Sequence, residues 1–188
     1  ADMVLPEDYF AEIFQYFVNN EDLGIASGSC FLEIGGKREI ERVSLDHTRG
    51  GLKTYRLECF NSIGGIPPVD GWDGIDNAKA QMGGWKTRNF PIPVLHRRET
   101  GAHRGRLASS FEVGTRCHFI GYSFIFLIVK VAHYGLVIRR PISAISMFLG
   151  YTWSVILRKK KYAETDVVRF IRKRKLELIK EAIIRKGR

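Results

Sequence analysis

The sequence predicts an α/β chain: a mixed sheet with helices over residues 1–106, then a helical region that is apolar and basic. Three observations point there. Strand-like runs alternate with helix-like periodicities in the first half, punctuated by glycine pairs at 35–36, 50–51, 64–65 and 83–84. Two long apolar runs, 119–138 and 141–157, dominate the second half. Charge divides the same way, with 9 Lys/Arg against 14 Asp/Glu in residues 1–90 and 21 against 6 in residues 91–188. The overall +10 is therefore an acidic half joined to a strongly basic one. A basic half is built to meet anions such as phospholipid headgroups, nucleic acid or substrate phosphates. The 188 residues suffice for one domain with its own core and an appendage. Cys30, Cys59 and Cys117 are odd in number and form no Cys-x-x-Cys pair, which argues against zinc or disulfide frameworks and for a reducing, cytoplasmic setting.

Taken in order, Pro6 suits the first position of a helix and Glu7 and Asp8 its first turn, with Phe10, Ile13, Phe14 and Phe17 recurring as a core-facing stripe. Residues 24–34 read as a strand, and Gly35-Gly36 as a hairpin turn into an alternating, half-exposed strand over 37–43. Gly50-Gly51 either lets backbone approach a ligand or makes a turn. Residues 52–60 lead into the loop opened by Gly64-Gly65, and Arg56 there reads as one half of a surface pair with Glu58 or a neighbour. A Gly/Pro-rich loop, a short helix and Gly83-Gly84 follow, with Asp70, Asp73 and Asp76 crowded where loop becomes helix. Residues 85–90 and 92–96 are extended, and 96–106 form a loop dense in cations with His96 and His103. The apolar runs are interrupted by Lys130 and His133 in one case and too short in the other for ideal membrane spans. Two interfacial helices or a re-entrant hairpin fit better, with Tyr122, Tyr134, Tyr151 and Trp153 at the interface and 158–161 facing anionic lipid. A buried helical pair in a globular core is the alternative. From Thr165 a basic amphipathic helix runs to near Gly187.

The stretch from Gly64 to Trp85 resembles the acceptor-side loop of family 2 glycosyltransferases, where a glycine pair precedes an acidic catalytic element and a helix ending in Gly-aromatic. Trp72-Asp73 stands where that family usually has Glu-Asp. Residues 1–9 resemble the end of the family's Asp-x-Asp motif and the helix after it, with Asp2 as the second carboxylate. The first would lie one position before Ala1, so the chain reads as the C-terminal portion of a GT-A catalytic domain without its nucleotide-binding half.

The resemblance implies inverting, metal-dependent transfer of a sugar from a nucleotide-diphosphate donor to a hydroxyl acceptor, lipid-linked or part of a cell-envelope glycan. Asp73 would be the general base. Asp2 and His96 would hold Mg²⁺ or Mn²⁺, Arg97 and Arg98 would face the diphosphate, and Arg56 would line the acceptor site. Trp72 would stack on a sugar, and Asp76 would cap the helix or bind an acceptor hydroxyl. The chain is expected at the cytoplasmic face of the cell membrane, in segments 1–106 (catalytic), 107–162 (apolar) and 163–188 (basic helix). A competing expectation is a non-catalytic membrane-surface or scaffolding module. Nucleic acid is not expected as a partner, because the basic residues are interleaved with apolar runs rather than with a groove-reading module.

Overall fold

The computed structural model describes residues 3–34, 37–41, 43–97 and 105–186. The chain divides into two compact units, Ala1–Thr100 and Gly101–Arg188. The first is a mixed α/β sheet unit and the second is helical.

In the first unit, β1 (Met3–Val4), β2 (Leu23–Ile34), β3 (Lys37–Ile40), β4 (Thr54–Tyr55) and β5 (Lys86–His96) form one sheet in the order β1-β5-β2-β3, with β4 also on β2. The central β2 and β5 run parallel, and the other pairings are antiparallel. The two extended segments read around Pro91 are one continuous strand. Its prolines cannot donate to the ladder, and the register shifts opposite them, between Ser27 and Ser29.

Helix α1 (Tyr9–Asn19) begins three residues later than the sequence suggests, because Pro6–Asp8 forms a turn closed by the Tyr9 amide on the Pro6 carbonyl. Its buried face is also rotated from the expected stripe. Tyr9 and Ile13 are buried, while Phe10 and Phe14 are 52% and 55% exposed. The cause is Tyr9, whose hydroxyl donates to the Leu52 carbonyl (2.9 Å) and accepts from the Gly28 amide (3.0 Å). A buried hydroxyl with both partners fixes the helix rotation more firmly than apolar count does. Helices α2 (Leu57–Ser62) and α3 (Trp72–Met82) follow, and α3 ends at Gly83-Gly84 as its sequence predicts. Its N-cap is Gly71 at φ 79°, and no Asp side chain caps it.

The helical unit contains α4 (Arg106–Phe119), α5 (Phe124–Ala132) continued by a π-helical turn at His133–Val137, α6 (Pro141–Ile156) and α7 (Thr165–Lys186). Helix α4 opens the segment 107–162 that the sequence marks as apolar and helical, directly after the cation-dense loop read over 96–106. It crosses α6 backbone to backbone at two glycines. A Cβ on Gly114 would lie 2.0 Å from the Met147 carbonyl oxygen, and one on Gly150 2.1 Å from that of Phe111. Helix α7 packs against the turn that follows α4. Val168 packs on Gly121, and the Arg172 guanidinium donates to the Gly121 carbonyl (2.6 Å).

Gly114→Ala is expected to lower the stability of the helical unit by about 1–3 kcal/mol, the usual cost of overpacking a tight contact. Thermal unfolding followed by circular dichroism measures it, and an unchanged melting curve would contradict the crossing.

Candidate functional site

The three carboxylates gathered by sequence around the start of α3 have three different fates. Asp70 is exposed in the loop. Asp76, one turn into the helix, is fully buried. The Lys53 ammonium and the Tyr55 hydroxyl both donate to its carboxylate, which also accepts the Asn77 amide (2.6 Å). Residues 53 and 55 flank the start of β4, so the alternation of an extended chain puts both side chains on one face toward α3. Burial lowers the Lys53 pKa while Asp76 opposes the shift, and burial raises that of Tyr55, with the hydrogen bond to Asp76 adding to it. Asp76 is thus the anion of a closed internal cluster. The expectation that it binds an acceptor hydroxyl is corrected, since no face of it reaches solvent.

Asp73 is one turn earlier and half-buried, and its carboxylate accepts no hydrogen bond among the described residues. Its backbone, by contrast, is held. The same Lys53 ammonium donates to the Asp73 carbonyl (2.7 Å) and lies 5.3 Å from the centre of the Trp72 ring. A Cβ on Gly50 would sit 3.3 Å from Asp73 Cβ and 3.4 Å from the Trp72 ring, so the Gly50–Leu52 3₁₀ turn lies directly against this pair. On its far side, a Cβ on Gly51 would meet the Met3 thioether at 3.1–3.2 Å. The glycine pair therefore packs between Trp72-Asp73 and the residue that follows Asp2.

The turn is itself stapled in place. Arg49 N–H donates to Ser27 Oγ (3.0 Å), Thr48 Oγ to Asn77 Oδ1 (2.7 Å), Thr87 Oγ to the Asp46 carbonyl (2.6 Å), and Tyr9 to Leu52. These partners come from α1, α3, β2 and β5. Residues 46–52 lack regular strand or α-helix yet are fixed by buried hydrogen bonds, the arrangement that keeps a functional loop rigid.

Strand β1 pairs Met3 with His96 across the sheet. His96 is 7% exposed, with Nδ1 3.3 Å from Glu41 Oε1. Glu41 Oε2 lies 3.1 Å from an Arg49 nitrogen without hydrogen-bond geometry, so this buried oxygen and Arg49 Nε are unsatisfied among the described residues. A carboxylate on one ring nitrogen leaves the other as a ligand atom, a pairing common to metal-binding histidines. His96 fits a single ligand position on that ground, while the second Glu41 oxygen already faces the Arg49 guanidinium as an ion pair. No group of three His, Cys, Asp or Glu that could hold a metal occurs among the described residues, and Asp2 lies outside them, as does Arg98. Arg97 is exposed at the end of β5.

No family model, curated protein or solved structure matches this chain.

Arg56 is the second correction. Its guanidinium donates to the carbonyls of Leu23 (3.0 Å), Phe17 (2.7 Å) and Asn20 (2.9 Å) and packs on the Phe17 ring. It ties the C-terminus of α1 to the start of β2, where unpaired helix carbonyls attract a cation. Its hydrogen-bond partners are these backbone carbonyls rather than Glu58. Sequence reasoning missed Lys53, Tyr55, Glu41 and Arg49. Lys53-x-Tyr55 after a glycine pair shows the spacing of a strand face, but its partner Asp76 is distant in sequence and nothing local announces the pair.

Lys53→Met is expected to destabilise the sheet unit by about 3–5 kcal/mol, because it strands a buried carboxylate. The double variant Lys53→Met, Asp76→Leu should cost clearly less than the sum of the two single changes. Urea unfolding of the four proteins completes the cycle. Strict additivity would show that the two groups do not interact.

Proposed function

We propose that the sheet unit is the acceptor-side half of a metal-dependent, inverting glycosyltransferase of the GT-A kind, with Asp73 as general base. The observation that carries the reading is the division of labour at α3. Asp76 spends its charge on Lys53 and Tyr55, whereas Asp73, held by its backbone against a rigid glycine turn, is only half-buried and its carboxylate accepts no hydrogen bond among the described residues. A base must be positioned and still have an open lone pair within hydrogen-bond reach of the proton it takes.

In this reading the donor is a nucleotide-diphosphate sugar. Asp73 accepts the acceptor hydroxyl proton as that oxygen attacks the anomeric carbon, and the carbon–oxygen bond to the diphosphate breaks on the opposite face. Trp72, its ring carrying the Lys53 ammonium on one side, offers apolar surface to a sugar. Arg97, with Arg98, meets the departing phosphates. Asp2 and His96 would hold Mg²⁺ or Mn²⁺, which when bound supplies positive charge for the leaving diphosphate. Glu41 orients the His96 ring for that role.

The helical unit supports a membrane-surface location for the reaction, with a lipid-linked or cell-envelope acceptor. Helix α6 buries Ser143, Ala144, Met147, Gly150, Tyr151 and Ser154, and exposes Ile142, Ile145, Leu149, Trp153 and Ile156. Four of these buried residues, Ser143, Ala144, Gly150 and Ser154, are small, and small residues at helix contacts with large apolar ones outside suit surroundings of hydrocarbon. The exposed face is bounded by Arg139 and Arg140 before it and by 158–161 after it, a distribution of charge that supports an anionic bilayer surface as its surroundings. No described helix is long and apolar enough to cross a membrane, so the helices would lie in the interface.

Asp73→Asn in the full-length protein is expected to lower turnover by about 10²–10⁴ while leaving the melting temperature unchanged. Nucleotide-diphosphate release from a panel of nucleotide sugars with Mg²⁺ or Mn²⁺ measures the first, and calorimetry the second. Retained turnover removes Asp73 from the role. Liposome binding without any response to nucleotide sugars would favour the scaffolding alternative.

A further inference from the structure

We propose that His118 is a proton-operated latch on the strap formed by residues 157–162. The neutral imidazole lets the strap close over the end of α4, and the imidazolium drives it off, leaving the cations at 158–161 free to meet an anionic surface. The coupling to lipid rests on the membrane-surface reading; the latch itself does not. His118 lies in the last turn of α4 and is 4% exposed. Its ring stands edge-on to that of Tyr151, with centroids 5.6 Å apart, and its Nδ1 is buried with no hydrogen-bond partner among the described residues. A proton placed on that nitrogen finds no acceptor there, so the charged ring would be buried unpaired.

The surroundings oppose that charge. Open carbonyls at a helix C-terminus ordinarily favour a cationic histidine. Here those of Arg116, Cys117, His118 and Phe119 already accept the amides of Ile120, Tyr122, Gly121 and Tyr162. From α6 the ring meets the Tyr151 phenol, whose hydroxyl donates to the Tyr122 carbonyl (3.1 Å). From α7, Arg172 donates to the Gly121 carbonyl (2.6 Å), and from α5 the Lys130 ammonium lies 3.8 Å from Cys117 Sγ. Arg116 precedes His118 by one half-turn, and Glu164, just past the strap, accepts the Tyr162 hydroxyl. Burial holds the His118 pKa below its ordinary value, and Lys161 and then Lys159 of the strap lower it further.

The strap runs from a strained turn to the neighbour of His118. Arg158 closes α6 at φ 48°, a left-handed conformation that favours glycine, with its own amide on the Val155 carbonyl and that of Lys159 on the Ser154 carbonyl. At the other end the Tyr162 amide donates to the Phe119 carbonyl (2.8 Å), and the two rings meet edge-on at 6.1 Å. Backbone strain at the root of a short segment is a local cost that recurs at switch regions.

Because the closed-form pKa is depressed, the open form binds the proton more tightly. Closure is fully favoured above about pH 6.5, the ordinary imidazole value, and is lost as the pH falls from there through the closed-form value. One pH unit below the ordinary value, protonation multiplies the open population by about ten. An anionic bilayer that takes up the freed cations favours the open form as well, so acid and lipid reinforce each other.

Hydrogen exchange of the full chain, read by NMR at the Tyr162 amide and corrected for intrinsic rates, tests the latch. Protection of that amide should fall by about tenfold between about pH 7.5 and about pH 5.5. His118→Phe, which keeps an aromatic ring on Tyr151 and takes no proton, should show constant protection, and His133→Gln should keep the fall. Lys159→Gln with Lys161→Gln should shrink the fall, because the closed imidazolium is then less opposed. Arg158→Gly should raise protection at every pH and leave the fall unchanged. On the same acidification, wild type should gain affinity for phosphatidylglycerol vesicles, measured by flotation, by a larger factor than His118→Phe. Constant protection in wild type overturns the latch, as does an equal fall in His118→Phe or, should that variant not fold, an undiminished fall in the lysine variant. Equal acid gains in vesicle binding overturn the coupling to lipid. Binding to no vesicle at either pH overturns the coupling and the membrane-surface reading together, while the exchange result decides the latch alone.

Discussion

The buried Lys53–Asp76 pair is the constraint on which the rest of the sheet unit depends. Two opposite charges removed from water cost several kcal/mol each unless their geometry satisfies both. Here Tyr55 and the Asn77 amide complete the carboxylate, and the Asp73 carbonyl takes a further proton of the ammonium. One cation thereby holds β4, the first turn of α3 and the Trp72 ring in a single arrangement. Apolar residues of equal volume would pack as well but would not specify which turn of α3 faces the Gly50-Gly51 backbone. That specificity, rather than net stabilisation, is what the pair contributes in this account.

The helical unit is organised by the opposite device. Its helices meet through the absence of side chains at Gly114 and Gly150, and the backbone contact leaves the bulky residues of α5 and α6 pointing outward. Ser154 satisfies its buried hydroxyl on the Gly150 carbonyl within the helix, and Ser146 donates to the Leu107 carbonyl on α4. Large apolar side chains of α6 thus stay exposed on this unit, between Arg139 and Arg140 before the helix and residues 158–161 after it.

Much of the fold was legible because it rests on local signals. The strand over 24–34, the short helix ended by Gly83-Gly84, and α6 opening at Pro141 each follow from periodicity and breakers within a dozen residues. The packing of α4 was not, although its segment reads as helical, because only the crossing with α6 gives Gly114 its role. The face of α1 was misread for a related reason. Four apolar side chains outvote one tyrosine in any pattern, but a buried hydroxyl with two backbone partners outweighs them energetically. At the site, Asp73 and Asp76 are indistinguishable by sequence, and Arg56 looks like any cationic ligand. Long-range partners alone separate them, through Lys53 from 23 positions upstream of Asp76 and helix carbonyls 36–39 positions before Arg56.

The central claim is that one carboxylate of α3 is sealed inside the unit and the other is open to reactants. Carbodiimide-driven amidation of the folded chain, with modified aspartates located by peptide mass spectrometry, tests it without a substrate. The account predicts that Asp73 is labelled while Asp76 stays unmodified until denaturant is added. Labelling of Asp76 as fast as Asp73 in the native chain would contradict it.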